Sequence, residues 1–210
     1  VLSDDVDSEP HDLDWDVLKS RGFEGKVGQT LAIPSGDGLM VAVGVGAADE
    51  IDANSLRSAA AAFARASSKH AHLATSLADA GDVDAAAAAS AVTEGILLAS
   101  YRYVGLKTGD DLGSKLTDLT IVSGAKRIAA AEKGAAAGHA IASAGSFARE
   151  LANTPPTYLN AVDIAERAVA LGPDAGLTVE VFNKDDLQAM GCGGMIGVNR
   201  GSTEPPRMVK

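Results

Sequence analysis

Hydrophobic and polar positions alternate between two regimes along this chain. Short, β-branched apolar runs at residues 28–34, 40–43, 116–123 and 177–182 are strand-sized. Long alanine-rich stretches at 52–69, 82–103 and 126–152 read as helices, because alanine has the highest intrinsic helix propensity. Residues 13–21 predict a short helix stopped near Gly22. Residues 28–34 and 38–44 predict paired strands, with Ser35-Gly36-Asp37-Gly38 as the hairpin turn. Met40-Val41-Ala42-Val43 is apolar enough throughout for a central strand. His70-Ala71-His72-Leu73-Ala74 predicts one more short strand. The order β-β-α-β-α-β over residues 28–123 predicts an α/β layered domain.

Residues 126–152 form the longest helical stretch, about 27 residues and so about 40 Å. Gly134, Gly138 and Gly145 weaken it but allow another backbone to come close. Beyond Pro155-Pro156, Asn160 is placed to cap a helix running to Leu171, with Asp163 near its positive end. A strand over 177–182 follows. Asn183 caps a helix over 184–190 with Asp186 in the same role, and Gly191 stops it. This β-α-β pattern predicts the opening of a second α/β domain. Glycines at 191, 193, 194, 197 and 201 then suggest a short, closely packed helix. Pro205-Pro206 forces an extended exit into a strand over 207–210, which the sequence leaves short. With Val1 at the start, the expectation is a sequence trimmed at its end and open to trimming at its beginning.

Charge changes the picture only at one end. The formal net charge is -10 over 210 residues. Residues 1–16 carry Asp4, Asp5, Asp7, Glu9, Asp12, Asp14 and Asp16 without a base, while the remainder is close to balance. That argues against a basic nucleic-acid footprint. A calcium loop counted from Asp5 fails, because its sixth position is Pro10 where glycine is required and its twelfth is Asp16 rather than glutamate. A solvated acidic loop is the reading retained. No apolar run reaches membrane-spanning length, and no signal-peptide pattern is seen. The single Cys192, between two glycines, excludes an internal disulfide and reads as a small packing residue.

Three candidate sites are weighed and set aside. Gly44-Val45-Gly46 follows a strand and precedes a helix, but the third glycine of a dinucleotide turn is replaced by Asp49 and no phosphate-loop lysine follows. His70 and His72 would share a strand face as metal ligands can, yet a solvent-facing pair is the simpler reading. His139 is taken as an ordinary helical histidine.

Four ordered blocks carry a family resemblance. They are Val41-Ala42-Val43-Gly44-Val45-Gly46, Glu94-Gly95-Ile96-Leu97-Leu98-Ala99-Ser100-Tyr101-Arg102-Tyr103, Ala148-Arg149-Glu150-Leu151-Ala152-Asn153-Thr154-Pro155-Pro156, and Gly193-Gly194-Met195-Ile196-Gly197-Val198-Asn199-Arg200-Gly201-Ser202-Thr203-Glu204-Pro205-Pro206-Arg207. Together they resemble the leucyl aminopeptidase family of two-metal cytosolic exopeptidases. The resemblance implies an α/β fold in three parts. Residues 1–125 are a macrodomain-like N-terminal domain, 126–153 a linker helix, and 154–210 the truncated beginning of the peptidase domain. It implies a parent that removes N-terminal residues, often leucine, from peptides with two divalent metals, Zn or Mn, as a cytoplasmic homo-hexamer. The family's ligands and catalytic groups lie in a Gly-Lys-Gly segment, an Asp-bearing segment and an Asn-Thr-Asp-Ala-Glu-Gly-Arg box, none of which occurs here. No catalytic, metal or cofactor-binding residue is therefore assigned to this chain, and alone it is expected to be inactive and metal-free. The alternatives are a free-standing nucleotide or ADP-ribose module of macrodomain type, and an assembly or DNA-contacting domain.

Overall fold

The computed structural model describes residues 14–35, 38–109 and 113–210. They divide into two compact units, Val1–Arg149 and Glu150–Lys210. Of the acidic loop read over residues 1–16, residues 1–13 fall outside the described residues, as do the turn residues Gly36 and Asp37, while Asp14 caps a helix and Asp16 lies in its first turn rather than in a loop.

In the first unit, helix α1 (Trp15–Ser20) starts where the Asp14 carboxylate accepts the Val17 N–H at 3.0 Å. Strands β1 (Thr30–Ser35) and β2 (Gly38–Val43) form the expected antiparallel hairpin, with Thr30 opposite Val43 and Ser35 opposite Gly38. Side chains leave a strand on alternate faces, and both faces of β2 are used. Ala42 packs with Trp15, Leu18, Phe23, Leu31 and Ile33, while Val41 and Val43 join the larger helical core. A strand covered on both faces is built as an interior strand, yet among the described residues β2 pairs only with β1.

Helix α2 (Ala53–Ala66) opens with a capping box between Asp52 and Ser55. Strand β3 (His72–Thr75) lies parallel to β4 (Asp118–Ile121), His72 opposite Asp118 and Thr75 opposite Ile121. Helix α3 (Ala85–Ser100), capped by Asp84, comes between them in sequence. Both strands are shorter at the start than expected. The His70 N–H is used by the Ser67 carbonyl to close the end of α2 at 2.9 Å.

Helix α3 is the centre of this unit. Gly95 lets α2 approach, since a β-carbon there would overlap the Arg57 carbonyl. On the other side runs α4 (Ile128–Asn153), which buries Ala131, Gly134, Gly138 and Ala142. Those positions form a single stripe at helical spacing. A β-carbon at Gly134 would overlap the Ala86 carbonyl, and one at Gly138 would sit 2.5 Å from the Ser90 carbonyl. The glycines that weaken the helix locally are what bring the two backbones together.

The second unit is made of short pieces. Helix α5 (Ala161–Leu171) and helix α6 (Lys184–Ala189) open on the Asn160 and Asn183 caps that the sequence predicts, and Asp163 and Asp186 complete each as a capping box. Strand β5 (Val181–Phe182) pairs antiparallel with β6 (Met208–Val209), extended by mutual backbone bonds between Glu180 and Lys210 at 2.8 and 2.9 Å. Between them lies helix α7 (Gly193–Asn199). The strand expected from residue 177 begins only at Val181. The Leu177 N–H instead satisfies the Gly172 carbonyl at 2.8 Å, wrapping residues 172–177 around the end of α5.

Candidate functional site

The sequence blocks that carry the resemblance take up positions explained by folding. Gly44 and Gly46 end β2 beside the loop at Gly25–Lys26. A β-carbon at Gly44 would overlap the Lys26 carbonyl, and Gly46 has φ +90 with its N–H donated to Gly25 at 2.9 Å. The turn's amide is committed to protein backbone, so the glycines clear room for a neighbouring loop rather than cradle a phosphate.

Glu94 is 8% exposed in the helical core. Its carboxylate accepts the Arg57 Nε–H at 2.9 Å and the Ser90 hydroxyl at 3.0 Å, and Arg57 also donates to Asn54 at 2.7 Å. Removing either partner would leave a polar group in this enclosed position without its hydrogen bond. Arg149 donates to the Leu98 carbonyl at 2.8 Å, and its guanidinium lies 6.0 Å from the centre of the Tyr101 ring. It thus satisfies an orphan carbonyl at the end of α3. The Thr154 hydroxyl and N–H both go to the Glu150 carbonyl, at 2.7 and 3.0 Å, and finish α4 before Pro155.

One cluster escapes sequence reading. The Asp79 carboxylate accepts from the Ser123 hydroxyl at 2.7 Å and the Gly124 N–H at 2.6 Å, with Arg127 Nε 3.0 Å away. Arg127 also donates to the Ala78 and Val83 carbonyls at 3.1 and 2.9 Å. Burial pushes the Asp79 carboxyl up, but Ser123, Gly124 and Arg127 outweigh it and hold it below its ordinary value of 3.8. The cluster ties the end of β4 to the turn after β3. Its members lie more than forty residues apart in sequence, so no local signal reveals it.

The acids of the second unit do not converge. Asp163 and Asp186 are spent in capping boxes, and Glu180 pairs with Lys210 at 3.0 Å. Glu204 is exposed, and its backbone is held by Ser202 and Asn199. His72 Nδ1 lies 2.9 Å from Asp118 at the surface, while His70 falls before the strand. His139 is exposed on α4, and Cys192 is half-buried at the start of α7. Among the described residues no three His, Cys, Asp or Glu side chains gather as metal ligands would. A pair of close divalent ions needs several anionic oxygens in fixed geometry, and this donor set does not fit one. The glycines of the last block correct one expectation. Nothing lies within 4 Å of a β-carbon added at Gly193, Gly194, Gly197 or Gly201, so α7 is not closely packed among the described residues.

Cavities are lined by described residues of the first unit. One, of about 1050 Å³, runs between β2 and β3. Another, of about 880 Å³, lies over β4 beside α3 and α4. No helix is long and apolar enough to cross a membrane among the described residues.

Comparison with known proteins draws these blocks together. A probable cytosol aminopeptidase of Rhodococcus jostii (strain RHA1) is 38% identical over 204 residues, covering 93% of this chain and 39% of that protein. The bottromycin maturation enzyme BotP superposes with a TM-score of 0.81 at 36% identity, over 92% of this chain and 42% of BotP. BotP is also known in complex with Mn. A tomato leucine aminopeptidase variant shares the fold, with a TM-score of 0.74 at 22% identity over 97% of this chain and 42% of that one. The chain spans about two fifths of the length of these relatives. Residues 2–110 match the N-terminal domain of the cytosol aminopeptidase family and residues 146–210 match its catalytic domain, and with its α/β layers in that order the chain belongs to the cytosol aminopeptidase family.

Proposed function

We propose that these 210 residues are part of a metal-dependent aminopeptidase that removes N-terminal amino acids, leucine among them, from peptides. The observation that carries the reading is the order of the two family matches, 2–110 and 146–210, with α4 (Ile128–Asn153) running from the interval between them into the second. Residues 1–125 act as the N-terminal α/β domain, 126–153 as the linker, and 154–210 as the opening of the catalytic domain. The parent uses two divalent metals, Zn or Mn, the latter supported by the BotP complex with Mn. It works in the cytoplasm as a homo-hexamer, a reading that rests on the family.

The role of this portion is architectural. Capping boxes, the Arg57–Glu94 pair and the α3–α4 contact hold elements in place, and the described residues supply no converging carboxylates. Catalysis by positioned metals requires such carboxylates, and on this reading the portion alone is expected not to turn over peptides. The committed amide of Gly46 gives a nucleotide or ADP-ribose module no support.

The test is hydrolysis of leucine p-nitroanilide with added Mn²⁺ or Zn²⁺. The 210-residue chain is expected to give no metal-dependent turnover and the longer parent polypeptide to give it. Turnover by the purified 210-residue chain defeats the architectural role. A folded parent that is inactive across several N-terminal residues defeats the peptidase assignment.

A further inference from the structure

Helices α3 and α4 run side by side in the same direction and in nearly constant register. Gly134 lies against Ala86, Gly138 against Ser90, Gly145 against Leu98 and Arg149 against Tyr101. The fit loosens along the pair. A β-carbon at Gly134 or Gly138 would meet backbone, whereas one at Gly145 would meet the flexible end of Leu98, 3.1 Å away. Beyond Gly145, Ser146 is half-buried and Phe147, Ala148 and Arg149 are exposed. Apolar packing therefore fades before Arg149, and the tether there is polar. The guanidinium donates to the Leu98 carbonyl at 2.8 Å and lies 6.0 Å from the centre of the Tyr101 ring, within reach of a cation–π contact.

Arg149 stands where α3 runs out. α3 ends at Ser100, Tyr101 turns out of the helix at φ -62 and ψ 133, and the last turn of α3 carries no basic residue. The final carbonyls of a helix call for a donor and for positive charge, and here the neighbouring helix supplies both. In the register of the pair, α4 continues to Asn153, past the end of α3. Helix ends fray, so a tether at Arg149 acts on the part of α4 that α3 does not otherwise hold.

Both ends of this tether lie in the first unit, yet they fall in different family matches, Leu98 and Tyr101 in residues 2–110 and Arg149 in residues 146–210. We propose that Arg149 is a latch that holds the last two turns of α4 to the end of α3, and through them a positioning residue for the peptidase. It fixes the course of the helix that leads into Asn153-Thr154-Pro155-Pro156. The positioning role rests on the peptidase reading, whereas the latch does not.

Hydrogen exchange tests the latch and catalysis tests the positioning. Arginine, methionine and lysine have similar helix propensities, so Arg149→Met removes the donor and the charge without weakening the helix by itself. In the 210-residue chain, Arg149→Met is expected to speed exchange of the amides of residues 150–153 roughly fivefold or more, while those of Gly138 and Ala142 stay as they are. Arg149→Lys keeps a charge and a donor and should restore most of the protection. In the longer parent polypeptide, Arg149→Met should lower kcat per folded enzyme on leucine p-nitroanilide roughly fivefold or more, and Arg149→Lys should return most of it. Ser55→Ala, which weakens the cap of α2 instead, should leave kcat unchanged. Unaltered exchange at residues 150–153 in Arg149→Met overturns the latch. In an active parent, an unchanged kcat in Arg149→Met, or a fall that Ser55→Ala shares or Arg149→Lys does not reverse, overturns the positioning role. A folded wild-type parent that hydrolyses no peptide overturns the peptidase reading and the positioning role with it, and the exchange result then decides the latch by itself.

Discussion

Helices α4 and α7 are both rich in small residues, and they meet opposite surroundings. The glycines of α4 press against the backbone of α3 so closely that a β-carbon at Gly134 would overlap a carbonyl. The glycines of α7 face open space, and Val198 beside them is 91% exposed. The contrast extends to the units that hold these helices. Val1–Arg149 closes a core of Leu56, Val92, Ile96 and a bed of alanines. Glu150–Lys210 fully buries one large apolar side chain, Leu187, while Tyr158 and Leu177 remain 62% and 64% exposed. The lesson is that capping and turn chemistry form elements locally, whereas burying them takes partners distant in sequence. The second unit has the first and lacks the second.

The largest expected effect separates the two units. Leu56→Ala removes a side chain with no exposure from the helical core and should cost about 2–5 kcal/mol, read from the denaturant midpoint of residues 1–149. Leu187→Ala should leave that midpoint unchanged and abolish exchange protection in β5 and α6. If Leu187→Ala also lowers the midpoint of the first unit, the two do not hold separate cores.

A smaller effect asks the same substitution to change sign. Gly134→Ala places a methyl on the Ala86 carbonyl and should destabilise by about 1–3 kcal/mol through forced separation of α3 and α4. Gly197→Ala adds a methyl in open space within a helix and should stabilise by up to about 1 kcal/mol. Equal effects at the two positions would remove the distinction drawn between the helices.

The smallest effect is acid-dependent. The folded carboxyl of Asp79 is held below its ordinary value of 3.8. Its contribution is therefore complete above about pH 4 and lost as pH falls through the folded value. Asp79 is 30% exposed, so Asp79→Asn should cost less than about 1 kcal/mol at neutral pH. It should also flatten the fall in stability below pH 4. A variant with an unaltered acid limb would show that the Ser123–Gly124–Arg127 contacts do not hold the charge.

What the sequence reveals divides along the same line. Asn160 with Asp163, Asn183 with Asp186, and Gly191 at φ +73 are legible because cap and partner lie within four residues. The hairpin of β1 and β2 and the length of α4 are legible from period and composition. The strand from residue 177 is overread, because β-branched residues do not show that the Leu177 amide is taken by Gly172. Met40–Val43 is read as a central strand from its apolar run. Its two covered faces agree with that character, while among the described residues it pairs with β1 alone. At the candidate site, the four blocks identify the family, yet Glu94 with Arg57 and Arg149 with Leu98 are contacts across helices. No spacing within one segment contains them.

The most direct measurement is residue-resolved hydrogen exchange over the whole 210-residue chain at neutral pH. The slowest amides should be those of Val92 and Ile96 in α3, which is packed between α2 and α4. Amides of residues 161–210 should exchange at least ~100-fold faster, as expected for a unit without a closed core. Protection in α5, α6 and β5 equal to that in α3 would show that the second unit is complete by itself and would contradict the account.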